Sequence, residues 1–456
     1  MSHVRPPLQF IPSNFNPLVF YATRALLPLL LRVRLRPWLP VGIDRVETAN
    51  VETLVDLYRQ FQGSKIRLLI AFRHPQVDDP FSMFHLVTRA VPQIARQQGK
   101  PLQNLAHSHF IYDRGMTIWA GDWLGWYFSG LGGSPIHRGK KLDWSGMRAA
   151  RDLLLNGRFP LSVAPEGATN GRNAFVSPLE PGVAQLAFWC VEDLFEANRN
   201  ETVVLVPIAL EYRYRNPPWH RLDKLLSQLE KDVGLPVEAI ASGGDGEKGF
   251  AHRLLRLGEQ FATQMEQFYT RFYRRSLASS PDSSLSERLK ALLDASLQVS
   301  EEYLGLSGKG TVVERCRWIE NAGWNWTYRE ELKDLSTISP LERGLADWVA
   351  RETELRVAHM RLVEGFVAVS GSCEGEKIGF ESLSEIALIL FDAIARLKGK
   401  TPPRRPRLGW RSSKVTVGQP ICVSDRWPQY QKGRRAAKGA IADLTRELQE
   451  ALEKMI

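Results

Sequence analysis

Ile66-Arg-Leu-Leu-Ile-Ala-Phe72 is a short, almost unbroken apolar run that stops at Arg73-His74-Pro75. It is too short for an ordinary helix and lacks polar alternation, so it predicts a strand buried on both faces. Two more such runs follow, Phe159-Pro-Leu-Ser-Val-Ala164, which ends at Pro165-Glu166-Gly167, and Thr202-Val-Val-Leu-Val-Pro-Ile-Ala-Leu210. Helical spacing of apolar residues over 81–96 and 181–195 separates them. Strands alternating with helices predict an α/β sheet with helices on its faces. In such sheets functional groups collect at the carboxyl ends of the strands.

After Tyr214 the pattern becomes helical, over 222–233, 252–275, 285–303, 341–369 and 383–397, with loops rich in Gly, Ser and Pro between. Strand-like sequence returns at Lys414-Val-Thr-Val-Gly-Gln-Pro-Ile-Cys-Val423, before a basic amphipathic helix that runs to Ile456. The expected organisation is an N-terminal membrane-associating segment over 1–40, an α/β domain over 41–215 and a large helical insertion over 216–405. Residues 406–456 then supply a closing strand and C-terminal helix. Two consecutive domains are the alternative.

No acidic residue precedes Asp44, whereas Arg5, Arg24, Arg32, Arg34 and Arg36 all do. The apolar stretch from Leu18 to Leu31 would extend only about 21 Å as a helix, against about 30 Å of hydrocarbon, and Arg24 and Pro28 interrupt it. A spanning helix is therefore a poor fit, and so is a cleaved signal peptide, because no small-residue cleavage site follows the apolar run. Two readings remain: an interfacial segment with arginines among lipid headgroups, or a helix packed on the protein itself. The formal net charge of +10 favours an anionic partner. No zinc-ligand spacing and no basic, aromatic-rich strand points to nucleic acid. Cys190, Cys316, Cys373 and Cys422 are far apart, with no CxxC pair. That usage fits reduced thiols in a reducing compartment. Together these features suggest a peripheral or monotopic protein on the cytoplasmic face of a membrane.

Four elements bear on chemistry. In His74-Pro-Gln-Val-Asp-Asp79 a carboxylate five residues on can clamp a histidine at a strand end, fix its tautomer and leave the other ring nitrogen to take a proton. Asp78 competes for that role. Gly132-Gly-Ser-Pro-Ile-His-Arg138 sets glycines before an arginine, and either grips phosphate or is an ordinary basic turn. In Pro165-Glu166-Gly167 a carboxylate can accept hydrogen bonds from the hydroxyls of a polyol. Val206-Pro207-Ile208 restricts a strand beside a cleft. His107-Ser-His109 could offer two metal ligands, but no carboxylate or cysteine cluster accompanies them, so no metal is expected. Trp119, Trp123, Trp126 and Tyr127 fit either a helical core face or a lipid interface.

In this order and spacing the four elements resemble the PlsC-type glycerolipid acyltransferase family, over about residues 40–215 and again at Val415–Val423. The resemblance implies a mixed α/β sheet flanked by helices, a membrane location and a role in phospholipid biosynthesis. It implies transfer of a fatty acyl group from acyl-CoA or acyl-carrier protein to a glycerolipid hydroxyl, with a lysophosphatidate-like acceptor and no cofactor beyond that thioester co-substrate. Carried over, His74 is the general base, Asp79 its orienting partner, Arg138 the phosphate-binding arginine, and Glu166 with Gly167 the acceptor-binding block. The family block often continues Pro-Glu-Gly-Thr-Arg-Ser, whereas this chain has Pro165-Glu-Gly-Ala-Thr-Asn170. Arg172, three positions past the missing arginine, either substitutes for it or faces solvent.

Overall fold

The computed structural model describes residues 3–34, 42–137, 143–238, 246–277, 283–329, 331–332, 334–370, 379–400 and 403–456. The chain divides into two compact units. One is formed by Phe10–His137, Asp143–Pro217 and Gly409–Ile456, and the other is centred on Pro218–Leu408 and includes Met1–Gln9.

The α/β unit begins with α1 (Pro17–Arg32), β1 (Ile43–Ala49), α2 (Val51–Gln62) and β2 (Ile66–Phe72). Next come α3 (Asp79–His85), a π-turn (Leu86–Ala90) and α4 (Val91–Gln97), which together occupy the span expected as one helix. Pro92 has no N–H to offer the carbonyl four residues back, which accounts for the widened turn before it. Then follow β3 (His109–Asp113), α5 (Met116–Ala120), α6 (Trp123–Gly130), β4 (Gly133–Ile136), α7 (Trp144–Asn156), β5 (Leu161–Val163), α8 (Gly182–Glu196) and β6 (Thr202–Tyr214).

The helical unit consists of α9 (Trp219–Asp232), α10 (Gly246–Tyr273), α11 (Leu285–Leu304), α12 (Val312–Thr327), α13 (Pro340–Ser370) and α14 (Phe380–Leu397). The sequence reading missed α12, although Thr311 and Glu314 form a capping box at its start. The chain then returns to the sheet with β7 (Arg411–Val417) and β8 (Ile421–Cys422), and ends with α15 (Trp427–Tyr430) and α16 (Arg434–Glu453).

The eight described strands form one mixed sheet in the order β1-β7-β6-β2-β5-β3-β4, with β8 also paired to β6. β2 runs parallel to both β5 and β6, while β7 and β8 run antiparallel to β6. Every residue of β2 is buried; six are apolar, and the guanidinium of Arg67 donates to the carbonyls of Leu154 at 2.7 Å and Gly157 at 2.9 Å. Leu68 and Ile70 pack on α2 and the α3–α4 helix; Leu69 and Ala71 point the other way, into the layer of α7, α8 and α16. This period-2 alternation with both faces covered marks a central strand. Pro207 is tolerated in β6 because the neighbouring edge changes partner there: Ile208 pairs with Val417 of β7, and Leu205 with Ile421 of β8.

The segment over 1–40, expected either at a lipid interface or packed on the protein, is divided between the units. His3 and the Val4 N–H bond to Asp347 in the helical unit, whereas α1 packs in the α/β unit through buried Phe20, Leu27 and Leu31. No helix among the described residues is long and apolar enough to cross a membrane.

Within the helical unit a buried ion pair ties α9 to α10. Arg253, 1% exposed, donates to both oxygens of Glu230, 0% exposed, at 2.9 and 2.8 Å. Removing Glu230 leaves the buried guanidinium of Arg253 with the half-exposed carboxylate of Asp223 in place of its buried partner. Glu230→Ala should therefore lower stability by about 3–5 kcal/mol. Urea unfolding checks this, and an unchanged midpoint would contradict it.

Candidate functional site

The parallel pairing of β2 with β5 brings their carboxyl ends side by side, with His74 just past one and Glu166 just past the other. The side chain of Arg73, between β2 and His74, is fully buried. Its guanidinium donates to the carbonyls of Arg172 and Phe175 (both 2.6 Å), Asn173 and Leu210 (3.3 Å). A buried cation surrounded by backbone acceptors in this way fixes the loop after Pro165-Glu166-Gly167 against the strand end. Asn173 adds a reciprocal pair with the backbone of Tyr212, at 2.7 and 2.9 Å.

Glu166 is buried and largely occupied. One oxygen accepts the His74 N–H at 2.8 Å; the other accepts the Ser177 N–H at 2.9 Å and the Asn170 side-chain amide at 3.1 Å. Three of its roughly four lone-pair positions are thus filled by the protein. Its place in the site is to hold the His74 backbone; acceptance from a polyol, expected from sequence, has little of the carboxylate left to use. Burial pushes its carboxyl above the usual range, and the backbone donors oppose that push. Gly167 lies at φ +75°, a conformation that favours glycine and lets the chain turn directly after Glu166.

Asp79 opens α3 and is completely buried. Its Oδ2 accepts the Gln76 N–H at 2.9 Å and stands 2.9 Å from His74 Nδ1, while Oδ1 accepts the Tyr212 hydroxyl at 2.5 Å. Burial raises the Asp79 carboxyl above its ordinary range, and the hydrogen bonds from His74 and Tyr212 counter it. Burial, with the charge of Asp79 close by, drives the Tyr212 phenol far upward, so it stays a donor. The competing carboxylate Asp78 is engaged elsewhere: its Oδ2 accepts from Arg411 at 2.8 Å. The Arg411 guanidinium also lies 4.8 Å from the centroid of the Tyr212 ring.

With Nδ1 committed to Asp79, the nitrogen left to act is Nε2, on a side chain that keeps 20% of its surface. Such a ring can accept a proton from a bound hydroxyl and return it to a leaving group.

Arg138 lies outside the described residues. The glycines before it do not form an open turn: Gly133 begins β4, and a side chain there would meet the Phe110 ring at 2.7 Å. Arg172 does not face solvent; it is 3% exposed. His107 and His109 are buried and turned to carbonyls, of Leu131 at 2.7 Å and Gly132 at 2.9 Å. Burial lowers the His107 imidazole to about 4. No group of three or more metal-ligating side chains occurs among the described residues. The aromatic row is split between α5 and α6, with Trp123 and Trp126 exposed and Tyr127 bonded to Thr23 on α1 at 2.9 Å. Sequence reasoning missed Arg73, Tyr212 and Arg411 as parts of the site. Only Arg73, adjoining the histidine, gave a local signal.

Comparison with protein-family models, with curated proteins and with solved structures finds no match to this chain.

The tautomer is the first property to check. In its neutral form the His74 ring should carry its proton on Nδ1, as read from ring 15N chemical shifts. A neutral ring protonated on Nε2 would contradict the geometry.

Proposed function

We propose that the α/β unit is a membrane-surface O-acyltransferase of the PlsC type, moving a fatty acyl group from acyl-CoA or acyl-carrier protein to a glycerolipid hydroxyl. The observation that carries this reading is the His74–Asp79 pair, with its acid buried and its histidine partly open at the carboxyl end of a central strand. The acceptor hydroxyl gives its proton to His74 Nε2 as its oxygen bonds to the thioester carbonyl carbon. The C–S bond then breaks, and the departing sulfur takes the proton back from the imidazolium. No acyl-enzyme is formed. A thioester is already activated, so positioning and proton removal can carry the reaction.

A lysophosphatidate-like acceptor, as used in phospholipid biosynthesis, is the first choice. A second reading is another lysolipid or a small alcohol. It is favoured by burial of Arg172 and by an exposed Thr169 where the family often has a phosphate-binding arginine. A peripheral or monotopic position on the cytoplasmic face of a membrane is supported by α1, whose outward residues Leu18, Tyr21, Leu26 and Leu29 are apolar and exposed.

The test is transfer of label from acyl-CoA and acyl-carrier protein to a panel of lysolipids and alcohols. His74→Ala should lower turnover by about 10²–10⁴-fold with vesicle binding intact. Wild-type turnover in this variant would defeat the assignment. Absence of product from every pair would leave a non-catalytic membrane adaptor as the better description.

A further inference from the structure

Helix α1 is apolar on two opposite faces. Phe20, Leu27 and Leu31 are buried, while Leu18 on the outer face is 79% exposed. Next to that outer face opens a cleft of about 510 Å³ between α1 and the π-turn–α4 helix, lined by Tyr21, Arg24, Ala25, Arg89, Gln93 and Arg96. No lining residue is acidic. Arg89 donates to the backbone carbonyl of Arg24 at 2.6 Å, which fastens α1 to the neighbouring helix. Among the described residues, none of the three guanidinium groups has a carboxylate within ion-pair distance.

Three uncompensated arginines around one concave site repel one another unless an anion sits between them, and their field is focused by the low-dielectric walls. Guanidinium groups match phosphate oxygens in a two-pronged geometry that neither water nor a halide reproduces. Arg24 also lies one helical turn from Tyr21 on the outer apolar face. A charged recess thus borders an apolar surface, as headgroups border acyl chains in a leaflet.

We infer that this cleft binds the headgroup phosphate of an anionic phospholipid in the bilayer on which α1 rests, at a site to which His74 contributes no lining residue. The inference rests on the membrane-surface reading above and adds to it the class of lipid.

The experiment is sedimentation of the full chain with vesicles of phosphatidylcholine alone and of phosphatidylcholine mixed with phosphatidylglycerol. Arg24→Gln/Arg96→Gln keeps Arg89 as the tie to α1. Each arginine at an anionic surface contributes about fivefold, so the double variant should bind mixed vesicles on the order of 30-fold more weakly. Its binding to phosphatidylcholine vesicles, where choline offsets the phosphate charge, should fall by much less. Leu18→Ser/Leu29→Ser should weaken binding to both. A double arginine variant that keeps the wild-type preference for phosphatidylglycerol would overturn the inference. A wild-type chain indifferent to headgroup charge would overturn the cleft alone, and one that binds neither vesicle would remove cleft and surface together. Saturable uptake of inorganic phosphate without vesicles, lost in the double variant and with no headgroup preference, would make this a soluble-anion site and also overturn it. His74→Ala should retain the full phosphatidylglycerol preference, so failure of the chemistry and failure of the cleft are read separately.

Discussion

The buried carboxylate of Asp79 is the point on which the rest of the α/β unit converges. Alone in a dry interior it would be costly, and it persists because donors from three directions meet it: the Gln76 N–H, the His74 ring and the Tyr212 hydroxyl. Tyr212 comes from β6, next to β2 in the sheet, so strand pairing itself delivers the donor. Arg411, from β7, then pairs with Asp78 and covers the Tyr212 ring. β7, which the chain adds only after the helical unit, therefore takes part in fixing an imidazole attached near the centre of the sheet.

A second buried charge does comparable work on the backbone. Arg73 gathers carbonyls from the loop after Gly167 and from β6, and Glu166 reaches back to the His74 N–H. The two residues before and after the strand-end turn are thus locked by groups that would be left unsatisfied if the loop moved away. This makes the histidine a preorganised group rather than a mobile side chain, which is the condition for efficient proton transfer.

Much of this was legible locally. Burial of six of the seven residues in β2 follows from a nearly unbroken apolar run, though that of Arg67 does not, and the five-residue spacing from His74 to Asp79 is enough for a clamp across one turn. What was not legible depends on tertiary approach. Tyr212 is separated from Asp79 by 133 positions and Arg411 from Asp78 by 333, and nothing in either local pattern marks them. Glu166 was visible as a carboxylate at a strand end, but its direction was not, because that depends on the pairing of β2 with β5. The glycines at 132–133 suggested approach to a ligand, whereas Gly133 is required for packing against Phe110. For α1, sequence posed a choice between interface and core, and the helix buries one apolar face while exposing another.

If Asp79 acts by fixing and charging against His74, the most direct measurement is turnover of Asp79→Asn on folded, vesicle-bound protein. An amide keeps the size of the side chain but favours the wrong ring tautomer, and a loss of about 10³–10⁴-fold in kcat is expected. Turnover within a few-fold of the wild type would contradict the role given to the pair.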